Sequence, residues 1–226
     1  MTPGLQRIAI YDMDRTITVR GTYAAFLTHM ARTIAPWRLV LLPLAGFVML
    51  GYVLGVVDRG RAKELNQALL VGRRVNRARI RPLVESYADK VVTHNIRPGA
   101  LKQIAQDRAD GCRLVIASAS FRLYVEPIAK RLGFDDVIAT DHFSQDVDYL
   151  RARIAGENCY DVAKLRMIEA WMAAQGIQRE QAYVRAYSDH VTDAPLLAFA
   201  DEGFATNPHR ALERLAKAEG WPILHW

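Results

Sequence analysis

Apolar positions recur along this chain in two rhythms. Short apolar runs at 7–11, 113–117, 137–139, 182–187 and 203–206 read as buried strands. Stretches of helical period lie between them, at 100–109, 122–132, 161–175 and 193–200. Gly133 closes the second of these helices and Gly176 follows the third, as glycine commonly does at helix ends. Strands alternating with helices predict an α/β fold: a Rossmann-like parallel sheet covered by helices on both faces. Residues 22–92 interrupt this alternation with a mostly helical block, apolar in its middle and rich in arginine in its second half. The block is expected to be an inserted helical cap, 21–94, leaving 1–20 and 95–226 as the core. In open parallel sheets ligands sit beyond the carboxyl ends of the strands. Asp12, Ser118 and Asp189 each fall at such an end.

Composition narrows the picture. The chain is 51% hydrophobic and 24% charged, enough for a substantial core and too apolar for disorder. Its net charge of +6 suits an anionic substrate, an anionic lipid surface or nucleic acid. No basic-aromatic interleaving supports nucleic acid, so none is expected. Cys112 and Cys159 form no metal-like cluster and are expected to be reduced, buried thiols in a cytoplasmic protein. The first apolar run is too short for an export signal.

The chemistry sits in two acidic pairs. Asp12 and Asp14 follow the first strand, and Asp189 and Asp193 follow a late one. Four such side chains brought together repel, and a fold keeps them only for a cation or a transferring phosphoryl group. A turn just after Asp12 could swing Asp14 back over the site, so that one carboxylate attacks and the other handles a proton. Each motif alone also has a plain reading: an Asp turn, a strand-end serine, a solvated helix lysine, or Asp193 capping a helix with Pro195 in its first turn.

Taken together, the motifs resemble those of the haloacid dehalogenase superfamily. Asp12-Met13-Asp14-Arg15-Thr16 is similar to its first motif, Ser118 to its second, Lys164 to its third, and Asp189 with Asp193 to its fourth. Within it, the phosphoserine phosphatase-like group carries a helical cap between the first two motifs, where 22–92 lies. The resemblance implies an Mg²⁺-dependent phosphomonoesterase acting through an aspartyl-phosphate. It makes Asp12 the nucleophile and Asp14 the general acid and base. Asp12, Asp14 (by its backbone carbonyl) and Asp189 would hold the metal, with Asp193 in support. Ser118 and Lys164 would bind the phosphate. Arg15 departs from the pattern, because many relatives have Gly there. His190 is expected to orient neighbours rather than bind Mg²⁺, which prefers oxygen. The rival is a catalytically silent binding protein of the same fold, which would have no reason to keep the full acidic set.

One segment bears on substrate and location. Residues 39–57 are nineteen positions without a charge, long enough to span a membrane. A single crossing would part Asp12 from Ser118, Lys164 and Asp189, so it is excluded if these meet. Two alternatives stay open: a pair of cap helices broken near Pro43 or Gly46 and buried in the chain or in an oligomer, given the greater weight, or a hairpin docking 36–81 on an anionic membrane. In the second, Arg73, Arg74, Arg77, Arg79 and Arg81 would face headgroups on the inner side of the cytoplasmic membrane. The phosphoserine phosphatase-like group also includes a phosphatidylglycerophosphate phosphatase with a similar apolar, then basic, cap segment. The substrate expected is therefore a phosphorylated small molecule such as phosphoserine, or a lipid phosphate. Glu64, Asn66 and Gln67 are the cap groups that could hold an amino-acid phosphate.

Overall fold

The computed structural model describes residues 5–144 and 147–226. In chain order, β1 (Gln6–Tyr11) leads through a tight turn into α1 (Tyr23–Ile34), a 3₁₀ segment (Pro36–Leu41), α2 (Leu42–Val53), α3 (Arg59–Leu70), β2 (Arg74–Asn76) and α4 (Arg77–His94). Then come α5 (Pro98–Ala109), β3 (Arg113–Phe121), α6 (Arg122–Leu132), β4 (Asp136–His142), β5 (Tyr149–Arg151) and β6 (Ile154–Ala155). The chain closes with α7 (Val162–Ala174), β7 (Ala182–Ser188), α8 (Ala194–Phe199), β8 (Glu202–Thr206), α9 (Arg210–Glu219) and β9 (Ile223–Leu224).

The main sheet has the order β6-β4-β3-β1-β7-β8-β9. All neighbours run parallel except β6, which pairs antiparallel with β4. β1 lies at the centre, and Ile8, Ala9, Ile10 and Tyr11 are wholly buried. Alternate side chains of a strand point to opposite faces. Ala9 and Tyr11 accordingly join Leu114 and Ile116 in one apolar layer, while Ile8 and Ile10 join Val115 and Ala117 in the other. This is the α/β sheet that the strand spacing predicted. Gly133 closes α6 in the left-handed conformation, at φ +78°.

The inserted helices share the first layer instead of forming a core of their own. Phe26 of α1 stacks on Tyr124 of α6 at 4.4 Å, and Tyr87 of α4 meets both rings edge-on. β2 pairs antiparallel with β5, tying the insertion to the β4–β6 region. Lys63 of α3 also crosses to the sheet. Its ammonium donates to the Ala119 carbonyl at 2.5 Å and to Asn158 Oδ1 at 2.8 Å, above the Phe121 ring. Burial, with Arg59 adding, pushes the Lys63 amine down to about 7. A neutral amine keeps two N–H groups, enough for both acceptors.

The sequence pattern missed β2, β5, β6, α9 and β9. The 39–57 run also differs from the reading given the greater weight. Its break falls between Leu41 and Leu42, Pro43 sits in the first turn of α2, and Gly46 lies inside that helix. Nor is the run buried in the single chain: within α2 only Ala45 is. Phe47 is 67% exposed and Val53 75%. The physical reason is that α2 has no polar face to turn outward, while α3 covers only one side of it.

Lys63 generates a stability prediction. Its folded pKa lies below the unfolded one, so the unfolded chain binds the extra proton and stability falls as pH drops through the interval. Relative to Lys63→Met, the wild type should gain on the order of a few kcal/mol between about pH 7 and 10. Urea unfolding of both proteins across that range checks it; parallel pH profiles would show that Lys63 is charged in the fold.

Candidate active site

Asp12 lies one residue beyond β1, its backbone N–H still donating to the Tyr187 carbonyl of β7 at 2.9 Å. The chain then turns. Asp14 keeps an extended backbone (φ −70°, ψ 121°), and Arg15 reverses direction at φ +64°. That left-handed conformation favours glycine, which explains why glycine is the expected residue there. The turn brings the Asp14 carboxylate back over the strand ends, as the sequence required. Asp14 Oδ1 accepts from the Thr22 N–H at 2.6 Å and the Thr22 hydroxyl at 2.7 Å, and Oδ2 accepts from the Ser120 hydroxyl at 2.5 Å.

Lys164, in the first turn of α7, reaches the same place. Its ammonium donates to Asp12 Oδ1 at 2.8 Å and to Asp193 Oδ2 at 2.7 Å, with all three side chains nearly excluded from solvent. Asp193 Oδ2 also accepts from the Ser188 hydroxyl at 2.6 Å. Asp193 does stand at the N-terminal boundary of α8, but its side chain makes no capping hydrogen bond. That corrects the capping role read from the sequence, because Lys164 and Ser188 hold the carboxylate instead.

Thr16 links the two acidic pairs. Its hydroxyl lies 3.1 Å from Asp12 Oδ2 and 3.3 Å from Asp189 Oδ1, and it accepts from the Asp189 N–H at 3.0 Å. His209 Nε2 lies 3.3 Å from Asp189 Oδ2 and 3.2 Å from the Arg15 guanidinium. His190 Nδ1 accepts from the Thr192 N–H and so orders the turn before α8. Ser118 is fully buried, and its oxygen accepts from the Ser120 N–H at 3.1 Å.

The electrostatics follow from burial. It pushes the Asp12 carboxyl up to about 7, with Lys164 opposing and Asp193 and Asp189 adding. Burial also raises Asp189, to about 6, against His209. For Lys164, burial works toward a lower value, but Asp12 and Asp193 win and hold its proton well above the usual range. Three buried carboxylates thus share one ammonium, an excess of negative charge whenever all three are ionised. Asp193 Oδ1 is buried without a hydrogen-bond partner. An all-oxygen donor set with that excess fits a hard divalent cation. Among the described residues no three acidic, His or Cys side chains are disposed to hold an ion by themselves. A backbone carbonyl and water would therefore have to complete the shell.

Asp12, Asp14, Lys164, Asp189 and Asp193 line one cavity of ≈560 Å³, joined by Arg15, Arg59, Tyr160 and His209. The structure thus unites the predicted carboxylates and lysine, while Ala119 takes the place of Ser118 in the cavity wall. Glu64, Asn66 and Gln67 do not line it. Glu64 binds Arg61 and the Ile154 N–H, Gln67 binds His142, and Asn66 is buried. Sequence reasoning gave no role to Thr16, Thr22, Ser120, Arg59 or His209. Thr22 and Ser120 carried a signal in retrospect, a hydroxyl two residues beyond Arg20 and Ser118 at the mouth of the sheet; Arg59 and His209 carried none.

Comparison with known proteins places this arrangement. Residues 9–198 match the family model described as haloacid dehalogenase-like hydrolase. A probable phosphatase of Mycobacterium tuberculosis is 31% identical over 229 residues, covering 98% of this chain and 76% of that protein. The phosphoserine phosphatase SerB1 of the same species is 29% identical over 230 residues, covering 97% and 70%. A crystal structure of a protein of unknown function from Bordetella pertussis Tohama I shares the fold, with a TM-score of 0.88 at 24% identity over 97% of this chain and 98% of that one. The phospho-aspartyl intermediate analogue of a phosphoserine phosphatase does so with a TM-score of 0.62 at 17% identity, over 98% and 93%. With its family model spanning most of the sequence, this chain belongs to the haloacid dehalogenase-like hydrolases.

Proposed function

We propose that this chain is an Mg²⁺-dependent phosphatase that hydrolyses phosphomonoesters through a covalent aspartyl-phosphate on Asp12. The observation that carries the reading is one cavity in which Lys164 bridges Asp12 and Asp193 while Asp14 is held beside them. The phosphatase names of relatives covering nearly the whole chain support it.

In this reading an Asp12 oxygen attacks phosphorus. The bond from phosphorus to the leaving oxygen breaks, and that oxygen takes the proton of the Asp14 carboxyl. Water then attacks phosphorus, its proton passes to the Asp14 carboxylate, the bond to Asp12 breaks and inorganic phosphate leaves. The donors from Thr22 and Ser120 fix the direction of the Asp14 carboxyl group. Lys164 offsets charge on the phosphoryl oxygens and on Asp12. Ser118 would serve a phosphoryl oxygen only if the wall residue Ala119 gave way, since Ser118 itself lies buried behind the cavity. Asp12, Asp189 and the Asp14 backbone carbonyl would hold Mg²⁺, with Asp193 in support, and the bound ion would supply positive charge at the phosphoryl group.

Residues 21–94 act as the cap over this site, and the working location is cytoplasmic. The cap side of Asp14 informs the leaving group. A cavity of ≈180 Å³ there is lined by Tyr23, Met49, Tyr52, Arg59, Ala62 and Lys63 from the insertion. Asp14 is its one carboxylate, and that group is committed to proton transfer. A phosphoserine ammonium would therefore lack a partner, whereas an apolar leaving group meets Met49 and Tyr52. We take a lipid phosphate as the better fit.

Asp12→Asn should lower turnover of an aryl phosphate by roughly 10⁴-fold or more, with thermal stability equal to or above wild type because a buried repulsion is relieved. Retained turnover in a clean preparation would remove Asp12 as nucleophile, and a wild type inert toward every phosphomonoester would favour the silent binding protein. Chelation with EDTA should abolish activity and Mg²⁺ should restore it; activity that survives exhaustive chelation contradicts the metal assignment. A short-chain lipid phosphate should exceed phosphoserine in kcat/KM by roughly tenfold, about the worth of one or two methylenes in an apolar pocket. The reverse order would overturn the substrate reading.

A further inference from the structure

Two surface features outside the catalytic cavity meet on α3. The first is α2, which together with the preceding 3₁₀ segment is long and apolar enough to cross a membrane. It is instead laid on α3 with Phe47, Leu50, Val53 and Leu54 open to solvent. A single exposed apolar residue is ordinary, but a charge-free surface helix is not. The second is a groove of ≈490 Å³ along the outer face of α3. Arg61, Arg73, Arg151 and Arg153 line it, with Glu64 the one acidic member. Glu64 pairs with Arg61 at 3.0 Å, so among the described residues the other three guanidinium groups have no carboxylate in the groove. Arg151 and Arg153 come from the β5–β6 segment, far from α3 in sequence, and only the fold assembles the cluster. A further groove of ≈530 Å³ shares Arg61 and Arg153 with this one and Arg59 and Tyr160 with the catalytic cavity, so basic surface runs from α3 to the site.

We propose that α2 is an interfacial docking helix and that its occupant is the surface of an anionic phospholipid bilayer. Phe47, Leu50, Val53 and Leu54 enter the boundary between headgroups and acyl chains, and the four arginines meet lipid phosphates. Charge decides between this occupant and a second copy of the chain. A twofold pairing through α2 would bring two identical arginine clusters together in a protein already carrying +6. An anionic bilayer offers the opposite charge beside an apolar phase. The docking itself stands apart from the hydrolase reading. One consequence rests on that reading: Met49 and Tyr52, on the same helix, wall the leaving-group side of Asp14, so a docked molecule opens its site next to the lipid.

The test is co-sedimentation of the full chain with phosphatidylcholine vesicles, with and without phosphatidylglycerol, at low and high salt, with aryl phosphate turnover measured on the same samples. The wild type should bind phosphatidylglycerol-containing vesicles, lose most binding at high salt, and bind pure phosphatidylcholine roughly tenfold more weakly or worse. Phe47→Glu with Val53→Glu should abolish binding, and Arg151→Gln with Arg153→Gln should weaken it roughly tenfold. Both pairs should leave aryl phosphate turnover unchanged, which also certifies their fold; circular dichroism does so independently. No binding to anionic vesicles at low salt overturns the proposal, as does binding that survives Phe47→Glu with Val53→Glu. A wild-type dimer in sedimentation that this same pair dissociates, without vesicle binding, assigns the face to a second copy instead. Vesicle binding with no turnover in any sample would sink the hydrolase reading and leave the docking intact.

Discussion

Everything in this site depends on a buried charge deficit. One ammonium, on Lys164, stands among the carboxylates of Asp12, Asp189 and Asp193, all nearly sealed from water. Isolated buried charges cost far more than a domain can spare, so such a group is stable only when paired or when a ligand completes it. Lys164 stabilises two of the carboxylates and leaves the rest of the balance to what binds. On the reading proposed above, a hard cation and a phosphoryl group would supply that balance. Thr16 and Ser188 fix the carboxylates by hydrogen bonds and cannot substitute for missing charge.

The surroundings divide the labour around that deficit. The sheet supplies rigid positions, because Asp12 and Asp189 follow adjacent parallel strands whose ladder fixes their separation. The turn at Asp14 and Arg15 supplies direction. It swings the second carboxylate away from the Lys164 cluster into a separate pocket of hydroxyl donors. Two carboxylates a single residue apart thus enter different electrostatic environments, the usual way to give like groups unlike tasks. The inserted helices supply the wall. They are fastened to the sheet by rings at one end, by Lys63 in the middle and by the β2–β5 pair at the other.

Much of this was legible in the sequence, for identifiable reasons. The sheet was readable because β1, β3 and β7 are buried over most of their length and so show as largely apolar runs, broken in β7 by Arg185. The acidic site was readable because its residues sit at strand ends in fixed order. β2 and β5 were not, since Arg74-Val75-Asn76 and Tyr149-Leu150-Arg151 have no apolar run and owe their pairing to tertiary contact. The exposure of the 39–57 run in the single chain was not legible, because hydropathy reports what a segment avoids and says nothing of whether enough partners exist to cover it. The basic groove was only partly legible: Arg73 belongs to it, Arg74 stacks on the Tyr149 ring, Arg77, Arg79 and Arg81 lie exposed on α4, and half the groove's arginines come from the distant β5–β6 segment.

The central place of β1 sets the order in which the molecule can be made. β1 pairs with β3 on one side and β7 on the other, so its ladder is not complete until residue 188 has been made. Until then Ile8 to Tyr11, and the bare α2 beyond them, are apolar chain without a home. Pairing between distant parts of the sequence is intrinsically slow to form. The acidic cluster joins Asp12 to Lys164 and Asp193 across the same span, so the cavity needs chain from both sides of the β1–β7 ladder. A chain truncated before β7 has neither a finished sheet nor a site.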